Sequence, residues 1–474
     1  MSRSARYAAL AAVLAALGAA PAGAENAPSG ACLGDPSANG VPMAPGPRLR
    51  FGITPAGEAG ALGPAVPVVP DDPPRTLAAL ARLHPPKAPF VLRLNRFFWA
   101  DGEAGIARFL ALAKRYTDAG YLVELQVRYH PAAGQEGNVA GFVAFVREVV
   151  DRFGGNSRVV GLQVTNEVNF TISPDSSDGA YTGARDALIG GVIAAKDEAR
   201  RRGFRQLTVG FNWFYRTDPD SEASFWGYLR DHGGPAFVAA VDWVGLDAYP
   251  GTVFPPAESP GGERDGMVAA MSQLRRCFMP IAGLGPGVPI HVEENGWPTG
   301  PGRAEDSQAQ ALETMVRAVH DFRGTYNVTD YRWFDLRDHR TSSQNFQHHY
   351  GLLRDDYSPK PAFEAYRRLL DGLALREPDG GLGPVRLGLR LRYGRGRCAS
   401  VRATVTGAER PLVRRLDVSV GMRRLARIRR PPLAFTIRRR GLSPRHRYRL
   451  RVRATLADGR ATTLARRLRA CAHR

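Results

Sequence analysis

The sequence predicts an α/β protein: a (β/α)₈ TIM barrel followed by a small antiparallel β-sandwich of the immunoglobulin-like type. Three observations predict this. Short apolar runs alternate with longer amphipathic segments over residues 48–372. A Pro- and Gly-rich stretch at residues 373–384 then interrupts the pattern. Beyond it, short alternating segments are separated by Gly, Pro and Asp, which is typical of antiparallel strands.

Eight apolar runs have the length and β-branched composition of buried parallel strands. They are Arg48–Ile53, Phe90–Leu94, Leu122–Tyr129, Val159–Asn166, Gln206–Asn212, Val241–Asp247, Pro289–Glu294 and Asp330–Phe334. The segments between them predict amphipathic helices, among them Ile106–Ala119, Val139–Phe153, Ala184–Arg202 and Gln308–Phe322. A doubly wound open sheet is the alternative, and it is disfavoured because no glycine-rich phosphate turn follows the first strand.

The C-terminal segments are shorter and alternate between apolar and polar residues. The predicted strands are Val385–Tyr393, Ser400–Thr406, Arg415–Val420, Leu433–Ile437 and Arg447–Thr455. Residues 385–474 are therefore expected to form the sandwich, as an Arg-rich accessory domain.

The N-terminus has the pattern of a secretion signal over residues 1–24. Arg3 and Arg6 precede an Ala- and Leu-rich run, and Ala22-Gly23-Ala24 offers a cleavage site. Residues 25–47 are rich in Pro, Gly and Ala and are expected to form a flexible lead-in. No apolar run is long enough to span a bilayer. We therefore expect an exported, soluble, extracellular protein. A lipid anchor at Cys32 is the weaker alternative, because this cysteine lies well past the apolar run.

The chain has four cysteines, Cys32, Cys277, Cys398 and Cys471, which suit an oxidising compartment and allow three pairings. Cys398 and Cys471 flank the C-terminal region and are the favoured disulfide. None of the four has the close spacing of a zinc or redox motif. We expect no metal and no cofactor.

The net charge of +20 belongs to one part of the chain. Residues 381–474 contain 27 Arg and no Lys, against only Glu409, Asp417 and Asp458. This excess predicts attraction to a polyanion such as an anionic cell-wall polymer. Nucleic acid is disfavoured because few aromatic residues interleave with the Arg. Arg residues that alternate along strands would also form an ordinary solvated face, so that interpretation stays open.

Two of the apolar runs end in acids, and these ends point to chemistry. Val159–Val164 leads into Thr165-Asn166-Glu167, and Ile290–Val292 leads into Glu293-Glu294-Asn295-Gly296-Trp297. Acids rarely occupy the end of a buried strand unless their charge is needed there. In a (β/α)₈ barrel, active sites gather at the carboxyl ends of the strands. Paired carboxyls at strands four and seven suit glycoside hydrolysis, which needs one protonated acid and one ionised acid.

These motifs resemble clan A of the glycoside hydrolases, cellulase-like (β/α)₈ enzymes that retain anomeric configuration. Thr165-Asn166-Glu167 is similar to the clan's acid/base motif at strand four, and Glu294-Asn295-Gly296-Trp297-Pro298 to its nucleophile motif at strand seven. Further positions that match the clan are Arg93, His130, Tyr249, Trp333 and the segment from Tyr350 to Phe363. Asp247 departs from the pattern, since many cellulase-like members carry His there. That departure leaves the individual family open.

The resemblance implies a role for each matched residue. Glu167 would be the proton donor and later the base, and Glu294 the nucleophile. Arg93 and Tyr249 would keep Glu294 ionised, and Asn166 would bind the sugar 2-hydroxyl. His130 and Trp333 would bind substrate, with Trp333 as a sugar platform. Apart from the resemblance, Asn212 and Trp297 are also expected to bind substrate, because they fall at predicted strand ends.

Each of these residues also has an ordinary structural interpretation. Asn166-Glu167 could cap a helix, Glu293-Glu294 could form a surface turn, and the tryptophans could be barrel packing. The functional interpretation is favoured because the residues all fall at predicted strand ends. Neighbouring strand residues point to opposite sides, so only one of Glu293 and Glu294 is expected to enter the site. The motif selects Glu294.

The sequence therefore predicts a secreted, monomeric, retaining β-glycosidase that acts on a β-linked polysaccharide, with a glucan as the expected substrate. The alternative from another class is a catalytically silent carbohydrate-binding or surface-adhesion protein whose Arg-rich domain carries the function. It is disfavoured because both carboxylates are present.

Overall fold

A computed structural model describes residues 48–469 except 56–59, 61–65, 217, 255–260, 375–386, 395–399, 408–409, 411–412, 422, 430–433, 439–447 and 457–460. The expected signal peptide, lead-in and most of the linker lie outside the described residues. So do Cys32, Cys398 and Cys471, and the expected disulfide stays a prediction.

Eight parallel strands close into a barrel in which β1 pairs with both β2 and β8. The strands are β1 Arg50–Ile53, β2 Phe90–Phe98, β3 Leu122–Arg128, β4 Val159–Val164, β5 Thr208–Phe214, β6 Trp243–Ala248, β7 Ile290–Asn295 and β8 Val328–Trp333. The strand order follows the chain order throughout, as the alternating pattern predicted.

The helices of the barrel pack apolar side chains on the strands. They are α1 Pro73–Leu83, α2 Gly102–Asp118, α3 Val139–Phe153, α4 Ala184–Arg202, α5 Pro219–Ala240, α6 Glu263–Gln273, α7 Glu305–Tyr326 and α8 Pro361–Leu373. Side chains cap several of them: Asp72 accepts from the Arg75 amide at α1, and Asn138 accepts from the Gly141 amide at α3. No described helix has an apolar stretch that would cross a bilayer.

Charged side chains occupy the middle of the barrel, where branched apolar side chains are usual. They are Arg93, Glu124, His291, Glu293, Asp330 and Arg332, each less than a tenth exposed. Arg332 lies 2.8 Å from Asp330 and 3.4 Å from Glu124. Buried charges persist only when they are paired. These pairs form an ionic layer directly below the strand ends that carry the site.

The C-terminal residues form two antiparallel sheets over a separate apolar core. One sheet has three strands, β9 Gly388–Tyr393, β10 Val401–Thr406 and β13 Ala434–Ile437. The other has four, β11 Val413–Val420, β12 Arg423–Arg429, β14 Tyr448–Leu456 and β15 Ala461–Leu468. Inward residues such as Val401, Leu416 and Leu450 are fully buried. The predicted fold class, a barrel followed by an antiparallel sandwich, is confirmed.

Candidate active site

Three carboxyl groups meet at the carboxyl ends of strands β4, β6 and β7. Glu167 follows β4, Asp247 lies on β6 and Glu294 lies on β7. One oxygen from each lies within 4.8 Å of the other two, and all three residues are buried. We call Glu167, Asp247 and Glu294 the mouth acids. The barrel has thus brought together the two acids that the sequence singled out, with a third beside them.

Two donors hold the Glu294 carboxylate. The Arg93 Nη1 donates to its Oε1 at 2.7 Å, and the Tyr249 hydroxyl donates to its Oε2 at 2.6 Å. Burial opposes the charge on Arg93, but the facing carboxylates, Glu294 foremost, outweigh it and raise the arginine pKa. Burial and the charge of Glu294 raise the pKa of Tyr249 well above its usual value, so it remains a donor. Both contacts stabilise the ionised form of Glu294.

Glu167 has a contrasting environment. Within the described chain, no Lys, Arg or His lies at ion-pair distance from its carboxyl group, one oxygen of which instead lies within 4.8 Å of oxygens of Asp247 and Glu294. Burial, followed by the charge of Glu294, raises the pKa of Glu167 well above its ordinary value, although Arg128 and Arg93 oppose this. Two carboxyls in one site with environments that differ in this way are suited to opposite acid–base roles.

The backbone that presents Glu167 leaves the strand geometry abruptly. Thr165 has φ 66° and Glu167 has φ 48°, both in the left-handed region that residues with a side chain rarely adopt. Asp178, in the following loop, holds this turn by accepting from the amides of Asn166 at 2.9 Å and Tyr129 at 2.8 Å. The Glu167 amide donates to Asn212 Oδ1 at 2.8 Å. Strained backbone of this kind persists where surrounding contacts fix it, commonly at functional sites.

The adjacent acids Glu293 and Glu294 both face inward, which differs from the expected alternation. On β7, Val292 pairs with Leu246 and Glu294 pairs with Asp247, so Glu293 is an extra residue relative to β6. A β-bulge of this kind re-aims side chains. Glu293 points down into the ionic layer, 3.1 Å from His291 and 3.6 Å from the Arg93 Nε. Of the adjacent acids only Glu294 is one of the mouth acids, as the motif indicated.

The expected sugar ligand Asn166 is already engaged by the protein. Its Oδ1 accepts from Gln126 at 2.7 Å and from Asn212 at 2.8 Å, and its Nδ2 donates to the Ser176 carbonyl at 2.7 Å. Only its second amide hydrogen is left for a substrate hydroxyl. Asn212, also expected to bind substrate, is fully buried and links Asn166, the Glu167 amide and Asp247. Its position is that of a scaffold for the acids.

Three other expected substrate ligands are placed differently from one another. Trp333 is 0% exposed in the barrel core, so in this structure its ring has no face open to a sugar. Trp297 is 5% exposed, and the Arg303 guanidinium covers its ring at 3.8 Å. His130 is half-buried after β3, where its Nδ1 lies 2.9 Å from the Tyr181 hydroxyl. Large aromatic side chains are more often core than ligand platforms.

An aromatic cluster beside the mouth acids was not predicted. It consists of Phe170, Phe214, Tyr249, Phe334 and Tyr350. Four of these follow or end strands β4, β5, β6 and β8, and each is 5–7% exposed. The sequence does contain a pattern that could have predicted this cluster: an aromatic residue that follows an acid or amide at the end of a strand. Asp178, Gln126 and Gln163 were also missed, because nothing in their sequence context marks them.

Two groups of acids and histidine have the spacing of cation ligands: the mouth acids, and Glu124 with His291 and Glu293. The Arg93 guanidinium lies at both, 2.7 Å from Glu294 and 3.6 Å from Glu293. Because a fixed cation already pairs with a carboxylate of each group, we assign neither group as a metal site.

Comparison with known proteins gives structural likeness only. No protein-family model matches the sequence, and no curated protein matches it. Among solved structures, a β-glucosidase from Thermotoga maritima in complex with castanospermine is 12% identical; the match covers 71% of this chain and 100% of that one, with a TM-score of 0.48. GH5_18 from Streptomyces cattleya in complex with GlcNAc is 15% identical, covering 69% and 80%, with a TM-score of 0.47.

A β-glucuronidase from Bacteroides uniformis is 11% identical, with a TM-score of 0.42, and the match covers 90% of this chain. The chain spans just under half the length of the β-glucuronidase structures that it matches. Each of these proteins is similar to this chain in fold. The function is therefore inferred from the geometry of the site.

Proposed function

We propose that this protein is a retaining β-glycosidase in which Glu167 is the acid/base and Glu294 the nucleophile. One observation carries the proposal: the two carboxyls face each other within 4.8 Å in opposite electrostatic environments. A retaining enzyme holds its carboxyls about 5–5.5 Å apart, whereas an inverting enzyme needs about 6.5–9.5 Å to admit a water molecule. The short separation supports double displacement.

In the first step, the Glu294 carboxylate attacks the anomeric carbon while the bond to the leaving oxygen breaks. Glu167 gives its proton to that oxygen, so the departing sugar leaves as a neutral alcohol. Arg93 and Tyr249 hold Glu294 at 2.7 and 2.6 Å and fix the direction of attack. The products are a glycosyl ester of Glu294 and an ionised Glu167.

In the second step, Glu167 accepts a proton from a water molecule, which attacks the same anomeric carbon and breaks the ester. The Glu294 carboxylate and the protonated Glu167 are regenerated. Two inversions give net retention. The Tyr249 hydroxyl remains beside the leaving carboxylate and stabilises the charge that returns to it.

The proposed substrate is a β-linked polysaccharide, with a glucan as the first choice, and the protein is proposed to act outside the cell as a monomer. The sequence resemblance to cellulase-like enzymes supports the substrate class. The signal-like run over residues 8–20 and Ala22-Gly23-Ala24 support export. Export is tested by mass spectrometry of the protein recovered from the culture medium. A protein that still carries residues 1–24 would contradict the proposed signal peptide.

Azide rescue tests the two roles. The full-length protein is first assayed on β-glucans, xylans, mannans and aryl β-glycosides. Glu294→Ala should lose about 10⁴-fold or more in turnover of the aryl glycoside, by analogy with other covalent catalysts. Azide should restore its turnover and give the α-glycosyl azide. In Glu167→Ala, azide should intercept the glycosyl ester and give the β-glycosyl azide.

Glu293→Gln is the matched control, because Glu293 adjoins the nucleophile in sequence but points away from the mouth acids. Any activity that it loses should not be restored by azide. Full activity in Glu294→Ala would contradict the proposal that Glu294 is the nucleophile. No turnover by wild type on any substrate would favour the carbohydrate-binding alternative.

We also propose that the four-stranded sheet binds an anionic wall polymer. On β14, Arg449, Arg451 and Arg453 are exposed, while the residues between them are buried. Arg449 pairs in register with Arg467 on β15, and both are exposed. Like charges directly opposite one another destabilise a sheet. An anionic partner would relieve that repulsion.

A further inference from the structure

Asp247 lies between the two proposed catalytic acids. It is 0% exposed and pairs in register with Phe214 on one side and Glu294 on the other. Its Oδ2 accepts from the Asn212 amide. Its Oδ1 is buried and accepts no hydrogen bond from the described residues. One carboxyl oxygen of Asp247 lies within 4.8 Å of one oxygen of Glu167 and one of Glu294, and buried carboxyls this close together do not all ionise.

The groups around Asp247 do not supply enough positive charge for three carboxylates. The charged and titratable groups that face the pair are Glu294 and Glu293 on β7, Arg93 on β2, Arg128 on β3, Tyr249 after β6 and Tyr350 in the loop after β8. Arg93 is committed to Glu294 at 2.7 Å, and Arg128 pairs with Asp178 at 3.0 Å. Carboxyls that share one buried site cannot all ionise, so one of them retains a proton.

We propose that Asp247 is a positioning residue that shares a single proton with Glu167 and thereby keeps the acid/base loaded for the leaving group. This inference rests on the proposed function for its role in turnover, but the shared proton itself does not. Asn212 donates to Asp247 and so favours the ionised form there, which leaves the proton on Glu167.

The arrangement keeps the charge of the site constant through the first step. Before reaction, Glu294 carries one negative charge and the pair carries one. When Glu167 gives its proton to the leaving oxygen and Glu294 becomes an ester, the pair carries both charges. Asp247 then favours the return of a proton to Glu167, which must take one from the attacking water. Asp247 therefore assists Glu167 both as acid and as base.

A titration without substrate tests the shared proton. Carboxyl protonation of the full-length protein is followed by ¹³C NMR of labelled Asp and Glu, in wild type, Asp247→Asn and Glu167→Gln. In wild type, the Glu167 and Asp247 signals should titrate well above the ordinary range. In Asp247→Asn the Glu167 signal should titrate at lower pH than in wild type, and in Glu167→Gln the Asp247 signal should do so, because each variant removes one partner of the pair. If Asp247→Asn fails to fold, the titration of the Asp247 signal in Glu167→Gln still tests the shared proton.

The pH dependence of kcat/KM tests the role in turnover. The basic limb reports the loss of the acid's proton. Asp247→Asn removes a negative charge and adds an amide donor, so the basic limb should move at least one pH unit lower. The matched control is Asp242→Asn, at the opposite end of β6, where Asp242 pairs with Lys196. It should leave the limb unchanged.

The outcomes separate the two proposals. The shared proton is overturned if the Glu167 signal titrates at the same pH in wild type and Asp247→Asn, or the Asp247 signal at the same pH in wild type and Glu167→Gln. A basic limb that is the same in wild type and Asp247→Asn overturns the role in turnover. If wild type hydrolyses no glycoside, but the Glu167 and Asp247 signals titrate high and each moves to lower pH when its partner is replaced, the proposed function fails and the shared proton stands.

Discussion

At the scale of single residues, Arg93 connects the site to the ionic layer below it. Its guanidinium lies 2.7 Å from Glu294 at the mouth, 3.6 Å from Glu293 and 3.9 Å from Glu124. It also donates to Gln163 at 2.8 Å. Arginine suits this position because its planar fork reaches several acceptors at once, which a lysine ammonium cannot do in the same geometry. The sequence indicated Arg93 as a partner of Glu294. The contacts with Glu293 and Glu124 depend on the barrel register and could not be seen.

Arg93→Met should therefore destabilise the fold as well as the site. It leaves buried carboxylates without their cation, which typically costs about 3–5 kcal/mol. We expect urea unfolding to show a loss of that size and kcat/KM to fall together with it. Arg50→Met is the matched control. Arg50 is 30% exposed and pairs with Asp330, which keeps Arg332 at 2.8 Å. If both variants lose the same free energy of unfolding, Arg93 stabilises the fold no more than Arg50 does, which would contradict the prediction.

At the scale of elements, the sequence predicted the helices whose bounds follow from the spacing of apolar residues. It missed the features that depend on how neighbouring strands pair. Helices α3 and α4 have the predicted bounds, because their apolar spacing is regular. The bulge on β7 was missed, because an extra residue in one strand is defined only relative to its neighbours. Strands β12 and β15 were missed as well. The Arg-rich β12 has one β-branched residue and β15 has two threonines, so both have fewer β-branched and aromatic residues than typical strands.

The loop after β4 is the element that fixes Glu167, and Asp178 is its anchor. Asp178 is 0% exposed, accepts from two backbone amides and pairs with Arg128 at 3.0 Å. Asp178→Ala leaves Arg128 and both amides without this acceptor, so we expect a loss of about 3–5 kcal/mol in the free energy of unfolding. Because Glu167 would lose its fixed position, kcat should fall by more than KM rises.

Asp175→Ala is the control in the same loop. The side chain of Asp175 is 49% exposed, and it pairs with Arg96 at 3.0 Å. An exposed pair of this kind is worth about 0–1 kcal/mol. Urea unfolding and steady-state kinetics of the two variants, measured side by side, check the prediction. If Asp175→Ala impairs kcat as strongly as Asp178→Ala does, the loop acts through its exposed face and Asp178 has no special role.

At the scale of the whole molecule, charge divides the chain into two parts. Residues 381–474 carry 27 of the 65 basic residues and three of the 45 acidic residues. The sequence alone shows this division and the alternation along β14. It could not show that Arg449 and Arg467 meet across two strands, because β15 was not predicted. The proposed catalytic chemistry and the proposed polymer binding thus belong to different parts of the chain.

If the Arg-rich sheet binds an anionic wall polymer, adsorption and catalysis should respond differently to salt. Exposed charges are screened beyond about 8 Å at 0.15 M ionic strength. The full-length protein should therefore adsorb to an anionic wall polymer in low salt and be released as salt rises. Hydrolysis of a soluble aryl glycoside should change little over the same range, because its acids are buried.

The full-length variant Arg449→Gln/Arg451→Gln/Arg453→Gln removes three exposed charges from one face of β14 while keeping the strand's polar pattern. Its adsorption in low salt should fall at least tenfold in pull-down with the insoluble polymer, and its aryl glycosidase activity should match wild type. The matched variant Arg108→Gln/Arg317→Gln/Arg201→Gln removes the same net charge from exposed positions on the barrel helices. If both variants lose adsorption equally, net charge alone attracts the polymer. Only a loss confined to the β14 variant locates the binding on that sheet, because the two proteins differ in where the positive charge lies and not in its amount.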